Sequence, residues 1–396
     1  MMQISPEIQL FIREHSSDDV RVLALQAKKY PDIDMPTAIT QIAGRKVAAE
    51  KIPSWWEIEK IWYPKHLSLE QCSSEITARY KARLLQGDSL TDLTGGFGID
   101  CSFLATGFKS ATYVERQEEL CEIAAHNFPV LNLNHINIKN EDGVTYLQAM
   151  SPVDCLFLDP ARRNEHGGKT VAISDCEPNV AELEELLLQK ANRVMIKLSP
   201  MLDLSLALKE LKQTQEVHIL SVNNECKELL ILLGQTSPTE ISIHCVNLFT
   251  KGTQKEQHFV FTREQEQCSE CTYTDSLETY LYEPNASLLK AGAFRSIAAA
   301  YPVRKLHPNS HLYTSDTFIE NFPGRIFRIV NQCSFNKKEV KENLADLKKA
   351  NVTVRNFPAT VAELRKRIHL AEGGDTYLFA STLNNGQKVL IRCEKV

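Results

Sequence analysis

Asp92-Leu93-Thr94-Gly95-Gly96-Phe97-Gly98-Ile99-Asp100 decides how this 396-residue chain is read. It follows Asp88-Ser89-Leu90-Thr91, which reads as the start of a short strand, and precedes a small-residue helix around 101–106. A strand ending in an acid, then a glycine turn, then a helix is how a nucleoside-sized ligand is held. Glycine lets the backbone turn sharply and approach the ligand, because it has no side chain to clash. Dinucleotide binding asks for Gly-x-Gly-x-x-Gly, which Gly95-Gly96-x-Gly98 does not supply. A plain glycine-rich loop is the simpler alternative, and the residues that follow argue against it.

Ala111–Glu115 reads as a second strand ending in an acid, at about the 20-residue distance where a nucleotide fold carries its ribose-binding carboxylate. Residues 136–140 lead to Glu141-Asp142-Gly143 and a helix over 144–150. Val153–Leu158 runs into Asp159-Pro160, and Arg193–Leu198 into Ser199-Pro200. These strands are nearly continuous apolar runs, the mark of a parallel sheet covered on both faces. Helical patterns at Glu118–His126 and Asn179–Lys190 supply crossovers, so a doubly wound α/β sheet is expected. Its functional residues collect at the carboxyl ends of the strands, where Asp92, Glu115, Asp142, Asp159 and Ser199 all fall.

Asp92-x-Thr94-x-Gly96-x-Gly98 resembles motif I of the class I S-adenosylmethionine-dependent methyltransferases. The resemblance implies S-adenosylmethionine as cofactor. It would be bound by Asp92, Thr94, Gly95, Gly96 and Gly98, with Glu115 on the ribose and Asp142 on the adenine amine, Glu141 being the neighbouring alternative. Asp159-Pro160-Ala161-Arg162-Arg163 is similar to motif IV of nucleic-acid amino-methyltransferases, in which Asp or Asn precedes Pro-Pro and an aromatic residue. This implies Asp159 and Pro160 as catalytic residues that orient the attacked amine. The second proline is alanine here and no aromatic follows, so base stacking at this position is in question, and adenine-N6 and guanine-N2 targets both stay open. Asp-Pro-x-Arg also resembles uracil-C5 methyltransferases, which need a cysteine nucleophile. The corresponding stretch, Lys197–Asp203, contains none, and that route is rejected. Glu70–Lys81 resembles the segment leading into motif I in several RNA methyltransferases, which implies cofactor contacts from Ser74 and Thr77.

The chain's last part, with Asn356-Phe357-Pro358, Glu363–Arg367, Tyr377–Ala380, Val389–Arg392 and an amphipathic helix over Lys337–Lys349, resembles the THUMP-like domain found behind class I methyltransferases. With the motifs above, the resemblance runs from about residue 65 to the end. THUMP domains in related enzymes bind RNA. Charge agrees with a polyanionic partner: residues 276–396 hold 18 Lys and Arg against 11 Asp and Glu, or +7, whereas residues 1–275 hold 27 against 39, or −12. A basic module on an acidic body can capture nucleic acid; ordinary asymmetry is the alternative.

Arg162 and Arg163 carry guanidinium forks suited to a substrate phosphate or carboxylate, unless they are plain surface charges. His166, in the polar run 164–169, reads as solvated rather than as a general base. Lys197, at a buried strand end, must find a partner or reach the cleft, and with Ser199 it is expected at the substrate. Trp55, Trp56, Trp62 and Tyr63 are read as core packing ahead of base stacking. Cys268-Ser269-Glu270-Cys271 is a lone pair at zinc-like spacing with only His258 to support it, so no metal is expected. The eleven scattered cysteines suit a reducing compartment, and no apolar run is long enough for a membrane span or a signal peptide, so a cytoplasmic protein is expected.

The expected organisation is a helical region at 1–87, with helices at Pro6–His15, Asp18–Lys28 and Met35–Lys51. A Rossmann-like methyltransferase domain follows at 88–262, ending in antiparallel strands at 217–222 and 228–233 and a hairpin at 241–249 and 258–262. A linker spans 263–275, and an α+β ferredoxin-like/THUMP-like domain spans 276–396. The expected function is methylation of a base nitrogen in tRNA or rRNA. The alternatives are a small-molecule or protein methyltransferase, and a non-catalytic RNA-binding protein that keeps a residual cofactor fold.

Overall fold

The computed structural model describes residues 4–162, 172–236 and 238–396. The chain forms two compact units: Met1–Glu216 with Leu229–Pro238, and Val217–Glu228 with Thr239–Val396.

The first unit opens with helices α1 (Pro6–Glu14), α2 (Val20–Leu25) and α3 (Met35–Lys51). Ser5, Asp19 and Asp34 cap them by accepting backbone N–H bonds, as short polar side chains do at helix starts. Phe11, Leu23, Met35 and Ile42 form their common core. Trp55 is buried, and its ring meets Phe97 of the glycine turn edge-on at 5.2 Å. Trp62 lies flat on His126 at 3.7 Å. The aromatic group therefore packs, although Trp56 remains 44% exposed.

Helix α4 (Glu75–Ala82) leads into the sheet. Strands β1 (Ser89–Asp92), β2 (Ser110–Glu115), β3 (Ile136–Asn140), β4 (Val153–Leu158) and β5 (Ala191–Leu198) are parallel, and β7 (Glu225–Gly234) pairs antiparallel with β5 from Leu198↔Leu229 to Arg193↔Gly234. Within this unit the order is β7-β5-β4-β1-β2-β3. The chain runs outward from β1 to β3 and returns on the other side of β1 as β4. The switch in strand order thus falls between β1 and β4, where Asp92 and Asp159 end their strands. Leu156, Phe157, Val194, Met195 and Ile196 are buried at 1% exposure or less, which explains why these strands read as unbroken apolar runs.

The second unit takes up β6 (Thr214–Val222) from Val217 onward, beside β8 (Ser242–Leu248), which pairs antiparallel with β9 (Glu256–Thr262). The expected linker at 263–275 instead contains a helix, Arg263–Cys268, started by a capping box between Thr262 and Gln265. Its Glu266 accepts the backbone N–H groups of Phe294, Arg295 and Ser296 and so caps the helix Phe294–Ala300.

A seven-stranded sheet follows. It comprises β10 (Tyr280–Pro284), β11 (Arg304–Lys305), β12 (Tyr313–Ser315), β13 (Gly324–Ser334), β14 (Asn351–Val354), β15 (Thr376–Thr382) and β16 (Lys388–Lys395), in the order β11-β12-β10-β13-β16-β15-β14. From β13 onward the elements alternate as strand, helix, strand, helix, strand, strand. Helices Lys337–Leu344 and Val361–Ile368 bury Leu344 and Leu364 against Cys333, Leu378 and Leu390. The first of these helices stops five residues short of the expected Lys349; the chain turns beyond it, and Asp346 meets Arg392 at 2.9 Å.

His311 sits in this unit with φ +54° and its ring stacked on Phe294 at 3.5 Å. Burial first, then the charges of Lys305 and Arg355, lower its pKa from 6.5 to about 4. The folded state therefore prefers the neutral ring. That contribution is complete above pH 6.5 and is lost as pH falls toward 4. Allowing for partial exposure, it amounts to roughly 1–2 kcal/mol. His311→Asn tolerates the left-handed backbone and is expected to flatten the pH dependence of thermal unfolding between those values. Equal slopes in the two proteins would refute the assignment.

Candidate functional site

The glycine turn is fixed by four independent constraints. Gly96 and Gly98 take φ +54° and +87°, where a side chain is strained. A Cβ on Gly95 would lie 2.2 Å from the ring of buried Tyr113, so only glycine passes there. The Gly95 N–H donates to the Val114 carbonyl (2.9 Å), and the Gly96 N–H donates to Glu115 Oε2 (2.9 Å). Glu115 Oε1 accepts the Gln117 N–H at 2.8 Å. Glu115 thus holds the turn in shape, and each oxygen keeps a lone pair for a sugar hydroxyl.

Asp92 is fully buried. Its Oδ1 accepts the Thr94 N–H at 3.0 Å, and its Oδ2 has no partner. Burial, reinforced by the nearby charges of Asp100, Asp159 and Glu115, pushes its pKa well above the ordinary carboxylate range. Thr94 Oγ1 accepts the backbone N–H of Asp159 at 2.6 Å, which ties the glycine turn to the Asp-Pro stretch across the switch point. Asp142 caps the helix Gly143–Ala149, accepting the N–H groups of Val144 and Thr145 at 3.0 Å through Oδ1. A Cβ on Gly143 would meet the Leu93 carbonyl at 2.2 Å, so this glycine lets the Asp142 loop close onto the end of β1.

Beside Asp159 lies a charge network. Lys197 Nζ is 2.6 Å from Asp159 Oδ2 and 3.4 Å from Asp100 Oδ2. Lys81 Nζ is 3.0 Å from Asp100 Oδ1, with no exposed surface. Ser73 Oγ donates to Asp100 Oδ2 at 2.7 Å and lies 2.9 Å from Lys81 Nζ and 3.1 Å from Lys197 Nζ. Burial raises the Asp100 carboxyl, but the two lysines and Ser73 outweigh it and hold the group below its ordinary pKa. At Asp159 enclosure raises the pKa and the Lys197 ammonium only partly opposes it.

Lys197, expected at the substrate, is therefore committed to Asp159. Ser199 Oγ accepts the Met201 N–H at 3.3 Å and shapes the turn after β5. Ser74 and Thr77 are hydrogen-bonded to each other at 3.2 Å, and Thr77 is buried; Ser73, one residue earlier, reaches the network instead. Pro160 is buried, and the backbone of Arg162 pairs with Cys176. Arg163 and His166 lie outside the described residues. A small cavity lined by Ser89, Asp154 and Asn192 sits at the opposite, amino end of the strands.

The family model for a ferredoxin-like domain matches residues 280–323, and that for a THUMP-like domain matches 324–395. Two solved structures described as a "putative methyltransferase" are similar to the chain. The one from Porphyromonas gingivalis W83 is 35% identical with a TM-score of 0.87, covering 98% of each chain. The one from Streptococcus mutans, in complex with SAH, is 13% identical with a TM-score of 0.30, covering 40% of this chain and 96% of that one. An rRNA methylase from Streptococcus thermophilus is 14% identical with a TM-score of 0.29, covering 40% and 93%. Similarity at the level of these last two says nothing about activity. No curated protein matches the chain. Among the described residues, no helix is long and apolar enough to cross a membrane.

Proposed function

We propose, from the premise that this chain belongs to the class I methyltransferase family with a carboxyl-terminal THUMP-like domain, that it transfers a methyl group from S-adenosylmethionine to a base nitrogen in tRNA or rRNA. The observation that carries the reading is the Thr94–Asp159 hydrogen bond, which joins a donor-binding turn to an acid suited to an acceptor amine. A cytoplasmic location fits the eleven cysteines, all of them free.

The residues present fit the donor. Asp92 offers a buried carboxylate oxygen with no partner, which the donor's ammonium would satisfy. The backbone of Gly95–Gly98 would take the amino-acid end, Glu115 the ribose and Asp142, through its second oxygen, the adenine amine. When bound, the sulfonium supplies an already activated methyl group. The protein's task is alignment, which is worth about 7–11 kcal/mol when reacting groups are well placed. Asp159 would accept a hydrogen bond from the target amine and offset its growing positive charge. Lys197, 2.6 Å away, holds that carboxylate in place and partly opposes the rise in its pKa that enclosure causes. The +7 charge of residues 276–396 would hold the RNA backbone.

Calorimetry tests the donor. The raised pKa of Asp92 means that the free protein holds a proton there at pH values above the ordinary carboxylate range. Pairing with the donor's ammonium lowers that pKa, so binding should release a proton. Titration at a series of pH values from the ordinary carboxylate range upward, in buffers of different ionisation enthalpy, is expected to show this release, and Asp92→Asn to abolish it. No heat of donor binding in ligand-free protein would sink the reading. For RNA, affinity should fall steeply between about 50 and 200 mM salt; donor binding without RNA binding would favour a small-molecule or protein substrate.

A further inference from the structure

We infer that Lys197 is a specificity-determining residue: its ammonium cancels the charge of Asp159, which restricts the acceptor to an uncharged amine, as on a nucleobase, and turns away cationic amines such as a lysine side chain or a polyamine. This role presumes the proposed reading, in which Asp159 stands beside the acceptor; what it adds is the charge state that the acceptor must have.

The charges come from four elements of the first unit. Asp159 follows β4, and Lys197 lies on β5 with Nζ 2.6 Å from Asp159 Oδ2. Asp100, in the helix Ile99–Ala105, is 3.4 Å from Lys197 Nζ, and Lys81, on α4, is 3.0 Å from Asp100. Two ammonium groups thus stand against two carboxylates, and among the described residues the four charges sum to zero. Asp92, at the end of β1, also feels Asp159. Burial pushes its carboxyl well above the ordinary range, and in the proposed complex the donor's ammonium would balance it, so it adds no net charge.

The cancellation is held in place. An ammonium has three N–H donors, and Lys197 Nζ has Asp159, Asp100 and, at 3.1 Å, Ser73 Oγ as partners. Its side chain is 9% exposed, whereas that of Asp159 is 39% exposed. A ligand can reach the acid, but drawing the ammonium away means breaking its contacts with Asp100 and Ser73. An acceptor therefore meets a carboxylate that can accept an N–H bond and has no net charge to offer. A neutral amine needs no more. A cation must shed its water to enter, gains little from a balanced pair, and is repelled at close range by the donor's sulfonium. Without Lys197 the same acid would suit a cation.

The test measures binding rather than turnover. Calorimetry on the ligand-free full chain, at pH values from 7 to 9, compares two probes. S-adenosylhomocysteine is neutral at the reacting position; in sinefungin an amine-bearing carbon replaces the methylated sulfur and places an ammonium there. Wild type is expected to bind the two within about 3-fold of each other. Lys197→Met and Lys197→Gln are each expected to favour sinefungin by about 10-fold or more, because its charge then faces an unbalanced carboxylate. Adding Asp159→Asn to Lys197→Met should remove that preference. Asp100 keeps Lys81 in these variants, so the fold should persist, as a thermal melt would verify. The same ratio in wild type and both single variants, or a wild type that already favours sinefungin as strongly as they do, would overturn the role of Lys197 and leave the proposed reaction standing. Failure of wild type to bind S-adenosylhomocysteine would instead overturn the proposed reaction, and this role with it.

Discussion

An Asp159→Asn chain is expected to bind the methyl donor as well as wild type and to transfer methyl groups into RNA about 10²–10³-fold more slowly. The substitution conserves shape and removes charge. The position itself is held by its backbone, through the N–H donated to Thr94 Oγ1, and that bond survives the change. The side chain is 39% exposed, so stability should move by less than about 1 kcal/mol. Lys197 would lose its partner at 2.6 Å but keep Asp100 at 3.4 Å, so no buried charge is stranded. Rate and fold are thereby separated. Labelled methyl incorporation into total RNA from a deletion strain reads the rate, and calorimetry reads donor affinity. Undiminished incorporation would remove Asp159 from the reaction.

The largest stability effect should come from Lys81→Met. The Lys81 ammonium has no exposed surface and holds Asp100 at 3.0 Å and Ser73 at 2.9 Å. Removing one partner of a buried pair costs about 3–5 kcal/mol, because the other charge remains in a poor solvent. For a unit of this size that is a fall in melting temperature of about 10 °C. The pH dependence has a definite sign. In wild type Asp100 is held below its ordinary pKa, so its contribution is present above the ordinary carboxylate range and lost as pH falls through the lowered value. Without Lys81 the carboxyl titrates higher, and acid unfolding should begin at a higher pH. Lys81→Met with Asp100→Leu should recover much of the loss. A single variant as stable as wild type would show that the pair contributes little.

Much of this was legible in the chain. The parallel strands were readable because a strand covered on both faces must be apolar throughout, and the glycine turn because Gly96 and Gly98 occupy backbone conformations that other residues avoid. The THUMP-like ending was readable through its resemblance. The charge network was not. Lys81 lies in an amphipathic helix, where a lysine usually reads as solvated. Asp100 sits in the first turn of Ile99–Ala105, where an acid is already explained by the helix dipole. Only tertiary packing brings both against Lys197, 97 residues beyond Asp100 in sequence. The helix at Arg263–Cys268 did carry a signal, the Thr262/Gln265 box, which the polar composition around it obscured.

The way the chain passes between its two units has a consequence for how the protein is made. Residues 217–228 belong to the second unit, yet 229–238 return to the first and supply the antiparallel neighbour of β5. Neither unit is encoded by an uninterrupted stretch. During synthesis the amino-terminal body stays one strand short until a piece of its neighbour has already left the ribosome. No single cut in the gene yields either half whole.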